Sequence, residues 1–463
     1  MRWWILIPAA LFLLAVSGVV AIRIGGEQRL AQVQADLRAT GRPDSYEAWR
    51  ARLPSADPAA ADALHAAVMA MPVRQVGTIA QKVLDGPAGM APAKVRLAGG
   101  SATATRTATA AWQAEQRRLS EVLADQATAA AAVRAALAAP GATLGRRHRW
   151  PAAATEAATL LTGSGSDLIT DLSATRETAD HLRAHALVGP DPVSALADLR
   201  RLARAAADGE VLIEAMTGMA VQAICDEAHI DALLAGRVDR HAVAEWLAER
   251  PDPVAWLRRA YVGERCGFGA LVEAMGSMND LYPGSQGAIA GATTRLWWWT
   301  VRGHDLSFRQ QAIAEMEDAT RTATATTIDL TDPTWTDRWM RPISLESITN
   351  HAESMITALE CDARFRTARA TAHLMLAARG GPVPAAAPAA LAPLLDAGPT
   401  RFRLGWESLG GRRIRVALDL AAPQPPVFDR PRYRRDRCLV APPGTLRRPG
   451  RSEREGIEIE LPP

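Results

Sequence analysis

An almost unbroken apolar run from Trp3 to Ile22, held between Arg2 and Arg23, constrains the fold of this chain more than any other feature. A helix rising ~1.5 Å per residue over that run is about 30 Å long, the hydrocarbon thickness of a bilayer. The run predicts a transmembrane anchor over residues 1–25, with Trp3, Trp4, Ile5, Leu11, Phe12, Leu13, Leu14, Val19, Val20 and Ile22 meeting lipid. A cleaved signal peptide is the rival reading, because Ala15 and Ser17 are small residues ahead of a cut at Gly18. Continuation through Val19, Val20 and Ile22 carries the run past the roughly 7 to 15 residues of a signal core and favours retention. The short N-terminal side makes N-in, C-out the simpler single-pass topology, although Arg23 and Arg29 leave little charge asymmetry. Either reading exports the bulk of the chain, so the expected location is the cell membrane with an extracytoplasmic body.

With 463 residues, core size sets no limit on the fold. A formal charge of +3 is small for this length and makes no electrostatic case for a nucleic-acid partner. Cys225, Cys266, Cys361 and Cys438 form no CxxC pair, which excludes a zinc knuckle or a thioredoxin-type motif. Export permits disulfides, and Cys225 with Cys266 is the first pairing to expect because both fall in consecutive predicted helices. Buried free thiols are an equal alternative.

Downstream the patterning predicts a mainly α fold. Residues 26–140 read as an Ala-rich region: a helix leaving the membrane over 27–37 and ended by Gly41 and Pro43, a helix over 59–71, an irregular Gly/Pro-rich stretch over 72–101, and a helix over 112–139. Residues 141–379 read as a helical core domain. Leu168, Leu172, Thr175, Ala179, Leu182 and Ala186 mark the inward face of a helix capped by Ser166 or Asp167. Leu196, Leu199, Leu202 and Ala203 recur at helical spacing opposite Arg200, Arg201 and Arg204. Further helices fit 211–234, 239–249, 253–278, 307–322 and 345–379. Residues 380–400 form a Pro/Ala-rich linker. Over 401–463, alternating Phe402, Leu404, Trp406 and Ile414, Val416, Leu418, Leu420 around Gly410 and Gly411 predict a small β-hairpin-like element, with one more strand from the final IEIEL.

Motifs that would carry chemistry fail one by one. LLTGSGSDL opens like a dinucleotide-binding turn, but Leu168 stands where a third glycine is needed and no strand–helix alternation surrounds it. No Walker loop, SxxK, GxSxG or HExxH is present. Glu177, His181 and His185 fall at i, i+4 and i+8, one helix face carrying ligand types that suit zinc or iron, and are the candidate metal residues; a partly buried stripe is the ordinary alternative. Cys225 and His229 stand one turn apart within the polar cluster Cys225, Asp226, Glu227 and His229, although catalytic thiol–imidazole pairs usually come from different elements. Trp297, Trp298 and Trp299 cannot all face one side of a helix, so some fill the core and another lies near a surface, a bilayer interface or a partner. An Arg-rich tail around Arg430–Arg448 is interleaved with acidic residues and reads as solvated.

The order of these features resembles a set of uncharacterised, N-terminally membrane-anchored helical proteins of planctomycete-type bacteria. The resemblance rests on DLRATGRPDSYEAW, in which Gly41 and Pro43 break the membrane-proximal helix, on PAAADALHAAV, on the Gly263, Glu264, Arg265 element, and on the terminal GIEIELPP. The Arg/Pro-rich tail replaces the glycine- and aspartate-rich turn such proteins carry before their last strand. The resemblance implies an anchor and an architecture, no established function, and, for Glu264 and Arg265, a buried ion pair with neighbouring helices in preference to catalysis. The chain is thus expected to be a non-enzymatic, membrane-tethered interaction or scaffold protein of the cell envelope, with no cofactor, held to the bilayer by its N-terminal helix and binding an envelope protein or polymer. An envelope enzyme, hydrolase-like or metal-dependent, with its site assembled from scattered residues is the alternative.

Overall fold

In the computed structural model the described residues are 3–55, 57–71, 76, 94–97, 110–145, 165–270, 288–322, 340, 342–378, 386–396, 404–410, 413–418, 440–441, 445–446 and 456–460. They are mainly helical. α1 covers Trp3–Ala39, α2 Tyr46–Arg50 and α3 Pro58–Met69. α4 (Ala110–Asp125) and α5 (Ala127–Ala138) divide at Gln126 the single helix expected there. α6 (Gly165–Val188), α7 (Pro192–Ala207) and α8 (Leu212–Leu234) follow, then α9 (Ala244–Ala248) and α10 (Pro253–Gly263), which runs on into a π-helical turn, Glu264–Phe268. α11 (Ala288–Thr322) begins well before Ser307 and takes in the tryptophan run, and α12 (Pro342–Ala378) is the last long helix.

Three helices start on an Asp-Pro step, and the reason is local. Asp57, Asp191 and Asp252 each accept a hydrogen bond from a free amide of the first turn, at 3.0, 3.0 and 3.1 Å from Ala59, Ser194 and Ala255. Pro58, Pro192 and Pro253 occupy the first helical position, where a missing N–H costs nothing.

α8 is the central helix, packed against α6, α7, α10 and α12. Its sequence suits that place: Ala215, Met219, Val221, Ile224, Ala228, Ile230, Ala232 and Leu233 are buried and point all around the axis rather than to one stripe. Each fully buried Leu or Ile contributes roughly 1.5–3 kcal/mol, while the alanines let the helix axes come close. Of the inward face predicted for α6, Thr175, Ala179, Leu182 and Ala186 are buried, as are Leu196, Leu199, Leu202 and Ala203 of α7. Arg200 departs from the polar face assigned to it: it is buried, and its Nη2 lies 2.5 Å from Glu245 of α9.

Part of the expected linker packs instead of linking. A 3₁₀ turn, Ala389–Leu391, and α13 (Ala392–Leu395) bury Leu391 and Leu394 in the main core beneath α12. The C-terminal hairpin forms from β2 (Leu404–Gly410) and β3 (Arg413–Leu418), with Trp406 opposite Val416. β6 (Gly456–Glu460) pairs antiparallel with β3, so the terminal strand is present. The stretch expected to be irregular supplies a strand as well: β1 (Lys94–Leu97) pairs antiparallel with β6, giving a four-stranded sheet in the order β1-β6-β3-β2. Its Lys-Val-Arg-Leu alternation matches the pleat but is too short to stand out beside its glycines. Two short strands, β4 (Val440–Ala441) and β5 (Thr445–Leu446), pair with each other.

Among the residues with described side chains, no helix is long and apolar enough to cross a membrane. Trp3, Trp4, Ile5 and Phe12 of the apolar run lie outside that set. The Cys225–Cys266 pairing is corrected: both are buried free thiols, while Cys361 is half-buried and Cys438 lies outside the described residues. So does the Arg430–Arg437 stretch.

Candidate functional site

Asp226 stands at the middle of a buried polar centre. From α8 its carboxylate accepts from Gln222 Nε2 at 2.9 Å, from Trp246 Nε1 of α9 at 2.7 Å and from Arg369 Nη1 of α12 at 3.0 Å. Arg369 also donates to the carbonyls of Glu249 and Phe365, both at 3.0 Å, and its guanidinium lies over the Trp246 ring at 5.2 Å. One turn further along α8 the His229 ring stacks on the same Trp246 with centroids 4.5 Å apart. Burial raises the Asp226 carboxyl above the usual range, against the pull of Arg369 and its hydrogen bonds.

This geometry does not make a thiol–imidazole nucleophile. His229 Nδ1 lies 2.7 Å from the Cys225 carbonyl, so it carries the proton and donates; it has no lone pair left for the Cys225 thiol 3.8 Å away. Burial lowers the imidazole to about 3. Burial, and then the charge of Asp226, push the thiol well above its ordinary value. A neutral imidazole beside a neutral, water-excluded thiol lacks the thiolate that attacks. The four-residue spacing legible in the sequence therefore describes packing.

The Glu177, His181, His185 stripe does not close into a metal centre. Its rings meet edge to face, His181 and His185 centroids 4.8 Å apart, and among the described residues no three His, Cys, Asp or Glu side chains gather to hold an ion. One helix supplies adjacent donors, but a tetrahedral shell needs further donors from a second element. His181 is buried with neither ring nitrogen hydrogen-bonded, and burial, then the neighbouring His185, lower it to about 3. Glu177 is half-buried one turn earlier. Beside this stripe Arg183 ties α6 to α8 through Glu227 at 2.6 Å and Asp231 at 2.7 Å.

The Gly263, Glu264, Arg265 element is a second buried centre, and it sits where α10 widens into the π turn. Gly263 is required there: a Cβ would fall 1.8 Å from the Glu210 carbonyl oxygen. Glu264 Oε1 accepts from the Leu212 amide at 3.1 Å, satisfying a free N–H of the α8 N-terminus, and its other oxygen faces buried Arg309 of α11 at 3.4 Å. Arg265 donates to the Pro43 carbonyl at 2.6 Å and pairs with Glu317 of α11 at 3.4 Å. The expected ion pair is present, and it locks the α1–α2 loop, α8, α10 and α11 together.

α1 and α11 lie side by side and parallel. A Cβ on Gly303 would lie 2.7 Å from the Gly26 carbonyl carbon, so only glycine fits at this contact. His304 Nε2 donates to the Ile22 carbonyl at 2.9 Å, Arg23 donates to the Trp299 carbonyl, and Arg42 reaches Asp318 at 2.5 Å. The three tryptophans divide by environment: Trp298 is buried, Trp297 half-buried and Trp299 41% exposed, with the Arg23 guanidinium 4.3 Å above its ring. The arrangement holds two helices in fixed register. Comparison of the chain with protein-family models, curated proteins and solved structures finds no match.

Proposed function

We propose that this chain is a membrane-tethered, non-enzymatic interaction protein of the cell envelope, with a single N-in transmembrane helix and an extracytoplasmic helical body. The observation that supports it is a change of environment along one unbroken helix. Leu13 and Leu14 of α1 are 64% and 68% exposed, and Leu11, Val16 and Val20 are exposed too, whereas Leu30 and Leu37 are buried against the body. Apolar side chains exposed all around a helix call for a lipid or protein surround, and a run of about 30 Å from Trp3 to Ile22 matches lipid. The resemblance to anchored proteins through Gly263, Glu264 and Arg265 points the same way. The charged groups of both polar centres are engaged in hydrogen bonds and ion pairs between helices, which favours scaffolding over turnover.

The test is crosslinking of the intact chain in its membrane, followed by detergent extraction and mass spectrometry of the chain and whatever it retains. Retention of Trp3 in the mature protein, together with a reproducible stoichiometric envelope protein or polymer, is the expected result. Cleavage before Gly18 with no retained partner would overturn the proposal.

A further inference from the structure

Two histidines stand on the packed side of α6, among the buried apolar residues Ala179, Leu182 and Ala186. We infer that the His181–His185 pair is an acid-triggered release: protonating the rings frees α6 from the helices it packs against before the α8 centre opens, and uncovers its apolar face. The inference does not depend on the tether.

Geometry carries it. His181 is fully buried, the two rings meet edge to face with centroids 4.8 Å apart, and three of their four nitrogens are buried without a hydrogen bond. A second proton on either ring would place a charge in apolar surroundings beside its neighbour. Gly189 closes the end of α6 on this pair: its amide donates to the His185 carbonyl at 2.8 Å, and a Cβ there would fall 2.9 Å from His185 Nδ1.

α3, α4, α7 and α8 pack against α6, and among the described residues they offer the pair no buried carboxylate that is free. On α7, Asp198 is held by Arg134 of α5 at 2.7 Å and by Arg201 at 2.8 Å, Asp191 caps its own helix, and Arg200 and Arg204 turn to Glu245 and Glu249 of α9. On α8, Glu227 and Asp231 are held by Arg183, Asp226 is held by Arg369, and Glu214 accepts the Glu210 amide. α3 brings half-buried His65 and exposed Asp62; Arg117, Arg118, Glu121 and Asp125 of α4 are exposed. Glu177, half-buried on α6 itself, stands one turn before His181. The charges that act on the pair are positive: His185 on His181, and Arg134 on His185.

The sign follows. Burial, then His185, lower His181 from 6.5 to about 3, and burial, then Arg134, lower His185, against the pull of the α6 C-terminal carbonyls. Below 6.5 the freed helix therefore takes up protons that the packed helix excludes, and His181 alone favours opening about tenfold per pH unit. Burial raises the carboxyls of Asp180 and Asp231, which take up protons in the packed form and oppose the release, so the pair is read by difference.

The experiment is hydrogen exchange of the full detergent-solubilised chain at pH 6.5, 5.5 and 4.5, corrected for the intrinsic pH dependence of exchange. Wild type is compared with His181→Leu/His185→Leu and with His181→Gln, which keeps one ring should the double change prevent folding. The α6 amides of wild type should lose protection ahead of those of α8, and their opening should grow about tenfold or more between pH 5.5 and 4.5 relative to the double variant. His181→Gln should fall between the two. The same pH dependence of α6 in wild type and variants would overturn the inference, as would loss of protection by α6 and α8 together at every pH.

Discussion

Asp226 and Arg369 show how a mostly alanine and leucine core is made specific. Both are buried and ion-paired, so removing one leaves the partner as an uncompensated charge away from water. Asp226→Asn keeps an acceptor for Trp246 but strands Arg369, and is expected to destabilise by about 3–5 kcal/mol in urea unfolding. Asp226→Asn with Arg369→Met should cost at least about 1 kcal/mol less than the sum of the single changes; strict additivity would contradict the pairing. A separate expectation concerns His181. Burial lowers its folded-state value to about 3, whereas the unfolded chain protonates near the ordinary 6.5. Between those limits the unfolded state binds the extra proton, so stability falls as pH drops below 6.5, by about 1.4 kcal/mol per unit for this group. His181→Leu should flatten that acid limb, and parallel pH profiles for the two proteins would contradict it. None of this was legible from composition. The sequence places Cys225, Asp226 and His229 within one turn, but Arg369 is far away in the chain, and only the packing of α12 on α8 brings it to the carboxylate.

The helices themselves were far easier to read than their partners. Period and punctuation fall within one segment, so Pro192 and Gly189 bound α6 and α7 as expected, and the hairpin of β2 and β3 follows its alternating Leu404, Trp406 and Ile414, Val416. What a segment alone does not carry is contact between segments. β1 is recognisable only once β6 lies beside it, and α11 reaches back through the tryptophan run because α1 covers one of its faces. Gly26 and Gly303 illustrate the same limit: each is an unremarked residue in its own helix, and their meaning lies in the contact. Gly303→Ala drives a Cβ to 2.7 Å from backbone, where nothing flexible can yield. It is expected to cost about 1–3 kcal/mol, read from the urea midpoint of the detergent-solubilised chain; an unchanged midpoint would contradict the close crossing.

As a whole the molecule is a helical body built around α8, with a sheet at its C-terminal side and one long helix, α1, packed on it through α11. α1 spans 37 residues, roughly 55 Å, of which the second half is held by Arg23, Gly26, Leu30 and Leu37, with Arg42 of the following loop beyond it. The apolar run was the most legible feature of the sequence because hydropathy is carried within a single segment. The docking of its continuation was hidden because it depends on small residues and on backbone carbonyls. Alkaline carbonate extraction of membranes bearing the full chain tests the tether most directly. Retention of the whole chain in the membrane pellet, released only by detergent, is what the continuous α1 helix predicts, and quantitative release of the chain into the carbonate supernatant would contradict it.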